Sequence, residues 1–198
     1  MTAEPSQTKE TESRIKILDS ARDLFVDFGL RKTSMDDVAK RSRIGRATLY
    51  RRFGDKDELF QAVIIREVQA DLAKIEIKVH SLDDHLEGLI EAFVMAVISI
   101  HSNKFLNRLF ETEPEYTLPF FTTRFAGVMK FATAYLAERI IRGQTIGHIK
   151  ALDADITAEM ILRLIQSLML SPKGVIDPSD EQSIRFFVND WLRPLLIP

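Results

Sequence analysis

An all-α fold is predicted: an N-terminal three-helix helix-turn-helix unit followed by a larger C-terminal helical part, about nine helices together. Three observations predict it. Apolar residues recur at three- and four-residue spacing along most of the chain, and no segment alternates with the period of two that a half-buried strand needs. Capping signals recur just ahead of these apolar stripes. The stretch from Ser34 to Lys56, SMDDVAKRSRIGRATLYRRFGDK, divides into two short amphipathic helices with a turn between them.

In that stretch Ser34 is an N-cap, and Asp37, three residues on, completes a capping box in acidic form. Val38 and Ala39 supply the first helix with a contact face. Ser42 to Gly45 interrupts the period. The second helix, Arg46 to Phe53, buries Leu49 and Phe53, four apart, and turns Arg46, Thr48, Tyr50, Arg51 and Arg52 elsewhere. Residues 31–53 hold eight Lys or Arg against two Asp, a local balance of +6 in a chain whose net charge is −2. A basic cluster on a short helical unit is the electrostatic footprint of a phosphate binder, and the second helix is the candidate reader of a major groove.

Taken in order, residues 1–12 are polar and read as a disordered tail. A helix from Ser13 carries Ile17, Ala21, Leu24, Phe25 and Phe28 on one stripe and stops at Gly29. It closes a DNA-binding domain over 13–54. The second domain, 55–198, opens with a helix from Asp55, boxed by Glu58, that runs to about Val79 without Gly or Pro, so no flexible linker separates the parts. A Ser81–Asp84 box starts a helix from about Leu82 to Ile100, and a short segment spans Asn103 to Glu111. Pro119 sits in the first turn of a helix reaching Arg142. Gly143 to about Leu152 is a loop, Asp153 to Leu170 another apolar helix, and Ser179, boxed by Gln182, opens a last helix ending near Leu192, before Pro194.

Composition narrows the chemistry. With no Cys there is no disulfide framework, thiolate metal site or cysteine nucleophile. The N-terminus lacks the plan of a signal peptide. The apolar runs Leu89–Ile100 and Met160–Leu170 are interrupted by Glu91 and by Arg163 and Gln166, and are too short to span a bilayer. A soluble cytoplasmic protein with no membrane partner is expected. His80, His85, His101 and His148 show no metal-ligand spacing on one helix, and no Ser nucleophile motif occurs, so no catalytic residue, metal or cofactor is assigned. The rival class is an enzyme using an aromatic cavity; turnover of a bound compound without DNA retention would favour it.

The string Thr48-Leu49-Tyr50, Phe53, Lys56, Leu59, preceded by the Val38-Ala39 pair, resembles the TetR family of transcriptional regulators. The resemblance covers roughly residues 14 to 65 in sequence and the remainder in helical layout. Two positions depart from it. Arg43 stands where the family has a Gly in a left-handed turn, and Gly45 stands where it has a small polar cap. The resemblance implies a homodimer binding palindromic double-stranded DNA, most simply as a repressor released by a small effector; an activator or a ligand-independent regulator of the same fold remains open. Arg46 and Ala47 match positions that reach base edges, Arg being the usual partner of guanine. Thr48, Tyr50, Arg52 and Lys56 match positions near phosphates or bases, and Ser34 caps a helix whose N-terminus can face a phosphate. Tyr50 has a second reading as a packing residue, and Arg51 is added on charge alone. An apolar or aromatic effector is expected among Phe93, His101, Phe105, Phe110, Phe121, Phe125 and Met129, with Arg124 for an anionic group, although each Phe at helical spacing also reads as core. The family pairs its last two long helices across a dimer, which points to Ile156, Met160, Leu164, Leu168, Ile184, Phe187, Val188 and Trp191.

Overall fold

Local chemistry starts most of the helices. In the computed structural model, which describes the backbone of residues 5–124 and 126–198 and side chains from residue 11 on, the elements are all helical. They are α1 (Pro5–Phe28), α2 (Met35–Ser42), α3 (Arg46–Phe53), α4 (Lys56–His80), α5 (His85–Ser102), α6 (Lys104–Thr112), α7 (Pro114–Phe121), α8 (Ala126–Thr145), α9 (Ala154–Leu170), α10 (Glu181–Phe187) and, after a π-helical turn at Val188–Leu192, α11 (Arg193–Leu196). That is more segments than the nine or so expected, because two of the expected helices are broken. The chain divides into two compact units: residues up to Gln69 with Asn107–Thr117, and Ala70–Leu106 with Leu118–Pro198.

In the first unit α1 begins at Pro5 rather than Ser13, so residues 5–12 of the expected tail are helical, and residues 1–4 lie outside the described residues. Ile17, Ala21, Leu24 and Phe25 of α1 are buried, as are Val38 and Ala39 of α2, Leu49 and Phe53 of α3, and Leu59, Phe60, Val63 and Ile64 of α4. The Phe25 and Phe60 rings meet edge to face with centroids 5.8 Å apart. Ser34 and Asp37 form the full capping box: the Ser34 hydroxyl accepts the Asp37 N–H at 3.2 Å, and Asp37 Oδ2 accepts the Ser34 N–H at 3.0 Å. These bonds from Ser34 hold the Asp37 carboxyl below its ordinary pKa.

Arg43 closes α2 in the left-handed region, φ 56° and ψ 34°, and is the one non-glycine among the described residues with positive φ. An L side chain there costs about 1 kcal/mol relative to Gly. Arg43→Gly is therefore expected to raise unfolding stability by about 1 kcal/mol, less the entropy Gly adds to the unfolded chain, as read from the urea midpoint at constant m-value. Gly45 caps α3 with no side-chain bond, as the sequence implies.

In the second unit two helix starts differ from expectation for one reason: the nearer hydroxyl is engaged elsewhere. Ser81 Oγ donates to the Lys78 carbonyl at 2.6 Å and closes α4, so Asp84 caps α5, accepting the N–H groups of Leu86 (2.7 Å) and Glu87 (3.2 Å). Ser179 Oγ donates to Asp177, and Asp180 caps α10. Pro114, not Pro119, opens the helix of its region. Pro119 lies inside α7, which ends two residues later; there Thr122 and Thr123 donate to the carbonyls of Leu118 (2.7 Å) and Pro119 (3.1 Å) that a longer helix would use. Gly143, expected in a loop, stays in α8, and its lack of a side chain leaves room for Ile149, whose Cδ1 would lie 2.6 Å from a Cβ there.

The core of this unit runs from α5 (Leu86, Leu89, Ile90, Phe93, Val94, Val97) to Ala137 and Ile140 of α8, Ala158 and Ile161 of α9, and Ile184, Val188, Leu192 and Leu196 at the C-terminus. α5 is the one described helix with the length and composition to cross a membrane; its core-facing residues are buried in this cluster. Glu91 and Glu87 of α5 bind Arg185 (2.9 Å) and Arg193 (2.6 Å), lacing the C-terminal helix to it.

Candidate nucleic-acid interface and effector region

Because Leu49 and Phe53 are drawn inwards, the opposite side of α3 faces solvent. Arg46, Ala47, Tyr50 and Arg51 are exposed, and Thr48 and Arg52 are half-buried at the margin. The Tyr50 ring is 47% exposed, so packing does not occupy it. Arg46 is 64% exposed and pairs with Asp36 of α2 at 2.6 Å. Such a surface pair is worth about 0–1 kcal/mol, while a bidentate bond to a guanine edge is worth about 1–3 kcal/mol, so the pair holds the guanidinium near the surface without competing strongly for it. Part of the basic count is spent inside the unit: Arg41 pairs with Asp23 (3.2 Å) and Asp27 (3.3 Å) of α1. Lys56 donates from Nζ to the carbonyls of Leu30 (3.0 Å) and Arg31 (3.5 Å) in the α1–α2 loop, an anchor the sequence did not show. An ammonium has three donors, so one remains for a phosphate.

In the second unit the residues expected around an effector separate into groups. Phe93 is 1% exposed and packs on Phe187 with ring centroids 6.1 Å apart, which places it in the core. His101 and Phe121 are drawn towards the same turn of α9: His101 bonds the Leu168 backbone, and Gln166 Nε2 donates to the Phe121 carbonyl at 2.7 Å. Burial pushes the His101 imidazole below its ordinary pKa, and the bond to Leu168 and the field of Asp177 oppose that shift. Phe105 is fully buried, Phe120 and Phe121 stack edge to face at 5.1 Å, Met129 is half-buried and Arg124 is exposed. Phe110 belongs to the first unit, and Phe125 lies outside the described residues. A separate pocket of about 150 Å³ opens between the end of α4, the start of α5 and the end of α8, lined by His80, His85, Arg139, Arg142 and apolar neighbours. No sequence signal pointed there, because its residues meet only in the tertiary structure.

Residues 17–63 match the family described as bacterial regulatory proteins of the tetR family, a span that holds α2, α3 and the buried face of α1. The chain carries the DNA-binding domain of the TetR family. Along most of its length it is similar to the HTH-type transcriptional regulator UidR of Escherichia coli K12, with 26% identity over 179 residues that cover 88% of this chain and 86% of UidR. Its fold is that of the TetR-family repressor AlkX from Dietzia, implicated in biodegradation of n-alkanes (TM-score 0.67, 22% identity, 91% of this chain and 95% of AlkX). It is also that of RolR in complex with resorcinol (TM-score 0.67, 17% identity, 95% and 89% covered).

In this chain the last two long helices each turn an apolar face outwards, but not the stripe expected. Ile156 (64% exposed) and Met160 (55%) face out from α9, whereas Leu164 and Leu168 are partly buried against the core. At the C-terminus Ile184 and Val188 are completely buried and Phe187 packs on Phe93, so these three serve the chain's own core. Trp191 is outward, and with it Phe186 and Leu195. The π turn explains the difference. A regular α-helix aligns residue 184 with 191; the wider turn at Val188–Leu192 puts Leu192 and Leu196 in line with Ile184 and Val188, and leaves Trp191 outside.

Proposed function

We propose that this TetR-family regulator acts as a C2 homodimer that reads a palindromic operator through α3 and represses transcription until a small apolar or aromatic effector binds the second unit. The observation that carries the DNA half is the face of α3, where Arg46, Ala47, Tyr50 and Arg51 are exposed opposite a buried Leu49 and Phe53. Arg46 and Ala47 reach base edges; Thr48, Tyr50, Arg51, Arg52 and Lys56 meet phosphates or sugar edges, and Ser34 presents the start of α2 to a phosphate. Residues 13–54 form the DNA-binding domain and 55–198 the effector and dimerisation domain, in the cytoplasm where operators are. A helix-turn-helix dimer needs its recognition helices about one helical turn of DNA apart, and an effector that binds a state with another spacing lowers operator affinity by its differential affinity for that state. The effector lies near His101, Phe105, Phe121 and Met129, where apolar surface meets a few polar groups. The proposal is in keeping with AlkX being a repressor and RolR binding resorcinol.

The test is selection of randomised duplex DNA by the purified protein, with an Arg46→Ala, Tyr50→Ala variant alongside. A palindrome enriched by the parent and lost in the variant supports the reading. Placed upstream of a reporter, that palindrome should lower expression when the protein is supplied. No enrichment by a folded protein, or enrichment identical in the variant, would remove α3 as the reader; a reporter that rises would make the protein an activator.

A further inference from the structure

We infer that Glu113, at the junction of α6 and α7, is a positioning residue for DNA recognition. Its carboxylate fixes the loop between α1 and α2 on which the helix-turn-helix is mounted. The inference rests on the reading that this unit binds DNA.

Glu113 is the one charged residue that is buried among those described, 7% exposed, although it lies in the segment 107–117 that joins the first unit from far along the chain. Its main chain is held on both sides. The Glu113 N–H donates to the Leu109 carbonyl at 3.0 Å, ending α6, and its carbonyl accepts the Thr117 N–H at 3.1 Å and the Thr117 hydroxyl at 3.0 Å, starting α7. Thr117 is itself fully buried and also donates to Leu109. A side chain leaving so constrained a backbone has little freedom of aim.

That side chain ends on the α1–α2 loop. Glu113 Oε2 accepts the Arg31 N–H at 2.8 Å, a charge-assisted bond. Glu113 Oε1 occupies the space beside Gly29 that a Cβ would need, 2.2 Å from its ideal position, and Gly29 has φ 86°. The other groups of the loop are also engaged: Gly29 N–H with Phe25, Gly29 carbonyl with the Thr33 hydroxyl at 2.8 Å, and the Leu30 and Arg31 carbonyls with the Lys56 ammonium. The loop is thus gripped by an acid from one direction and a base from another. Four residues carry it from Gly29 to Ser34, the cap of α2, and α2 carries Asp36, the partner of Arg46. Without the carboxylate, the Arg31 N–H has lost its acceptor and the loop is free to shift. Base contacts tolerate little displacement, because hydrogen bonds weaken steeply away from good geometry.

The experiment compares Glu113→Ala, Glu113→Asp and Glu113→Gln with the parent protein at full length. Two quantities are read: amide hydrogen exchange at Arg31, and affinity for the duplex that the parent selects from a randomised pool. Gln keeps a side-chain oxygen at the same reach, so it should stay within about threefold of the parent in both readouts. Ala removes the acceptor and Asp withdraws it by one methylene, so both should lose Arg31 protection and bind the duplex about tenfold more weakly, the scale of a hydrogen bond to a charged group. Asp decides the matter should the Ala protein fail to fold. Duplex binding within twofold of the parent, with Arg31 unprotected, would overturn the inference. So would weaker binding accounted for wholly by a smaller folded fraction. A parent protein that retains no duplex would overturn the DNA reading, and this inference with it; the inference alone falls when the parent binds and the Asp variant binds equally well.

Discussion

Replacing Phe186 and Trp191 together by Asp should leave a folded protein that is monomeric and holds its operator at least about 100-fold more weakly than the parent. The two side chains are 66% and 70% exposed, so the core of a single chain does not depend on them. Monomeric proteins seldom expose such large aromatic groups beside Leu195, with Ile156 and Met160 outward on α9, unless a partner covers them. Aromatic anchors at the centre of an interface carry a large share of its energy, and a carboxylate buried there unpaired is strongly unfavourable. The DNA effect follows from linkage. In the proposed dimer one half-site contact makes the second effectively intramolecular, and dissociation would remove that gain without touching α3. Sedimentation velocity gives the oligomeric state and fluorescence anisotropy the affinity. A double variant that stays dimeric would move the interface away from the C-terminal helix.

Phe93→Ala is expected to destabilise the protein by about 3–5 kcal/mol, the largest single-site loss proposed. Phe93 is 1% exposed and touches the Phe187 ring, at the meeting of α5 with the C-terminal helix. The cost has two sources: the transfer energy of the ring and the cavity left between helices that are pinned by Arg185–Glu91 and cannot close fully onto it. Chemical denaturation followed by circular dichroism measures it. A loss below about 1 kcal/mol would show that the site collapses or that Phe93 lines an open cavity, which would return it to the effector region.

The separation between what was legible in the chain and what was not follows the range of the interactions. Ser34 with Asp37 and Leu49 with Phe53 act within one turn, so their geometry can be read from residue type and spacing, whereas the left-handed turn at Arg43 was implied only by the family resemblance. The helix-turn-helix and its outward basic face were accordingly visible in the sequence. The cap positions at Asp84 and Asp180 were hidden because two candidate oxygens stood close together and their competition depends on which carbonyl or carboxylate captures the nearby hydroxyl. Pro119 and Gly143 misled because each residue type fits more than one place: Pro119 lies inside a helix that Pro114 opens, and Gly143 inside one where it leaves room for Ile149.

By itself, then, the sequence determined the all-α class, the helix-turn-helix and the sign of its charge, because periodicity and capping are properties of adjacent residues. The tertiary structure alone decided which apolar residues of the C-terminal helix face inwards, since one π turn brings Leu192 and Leu196 into line with the buried Ile184 and Val188 and leaves Trp191 outside. It alone decided the partners of Arg31 and Lys56 as well. The bond from Glu113 to Arg31 spans 82 positions, and no pattern local to either end records that a buried carboxylate must find its donor there.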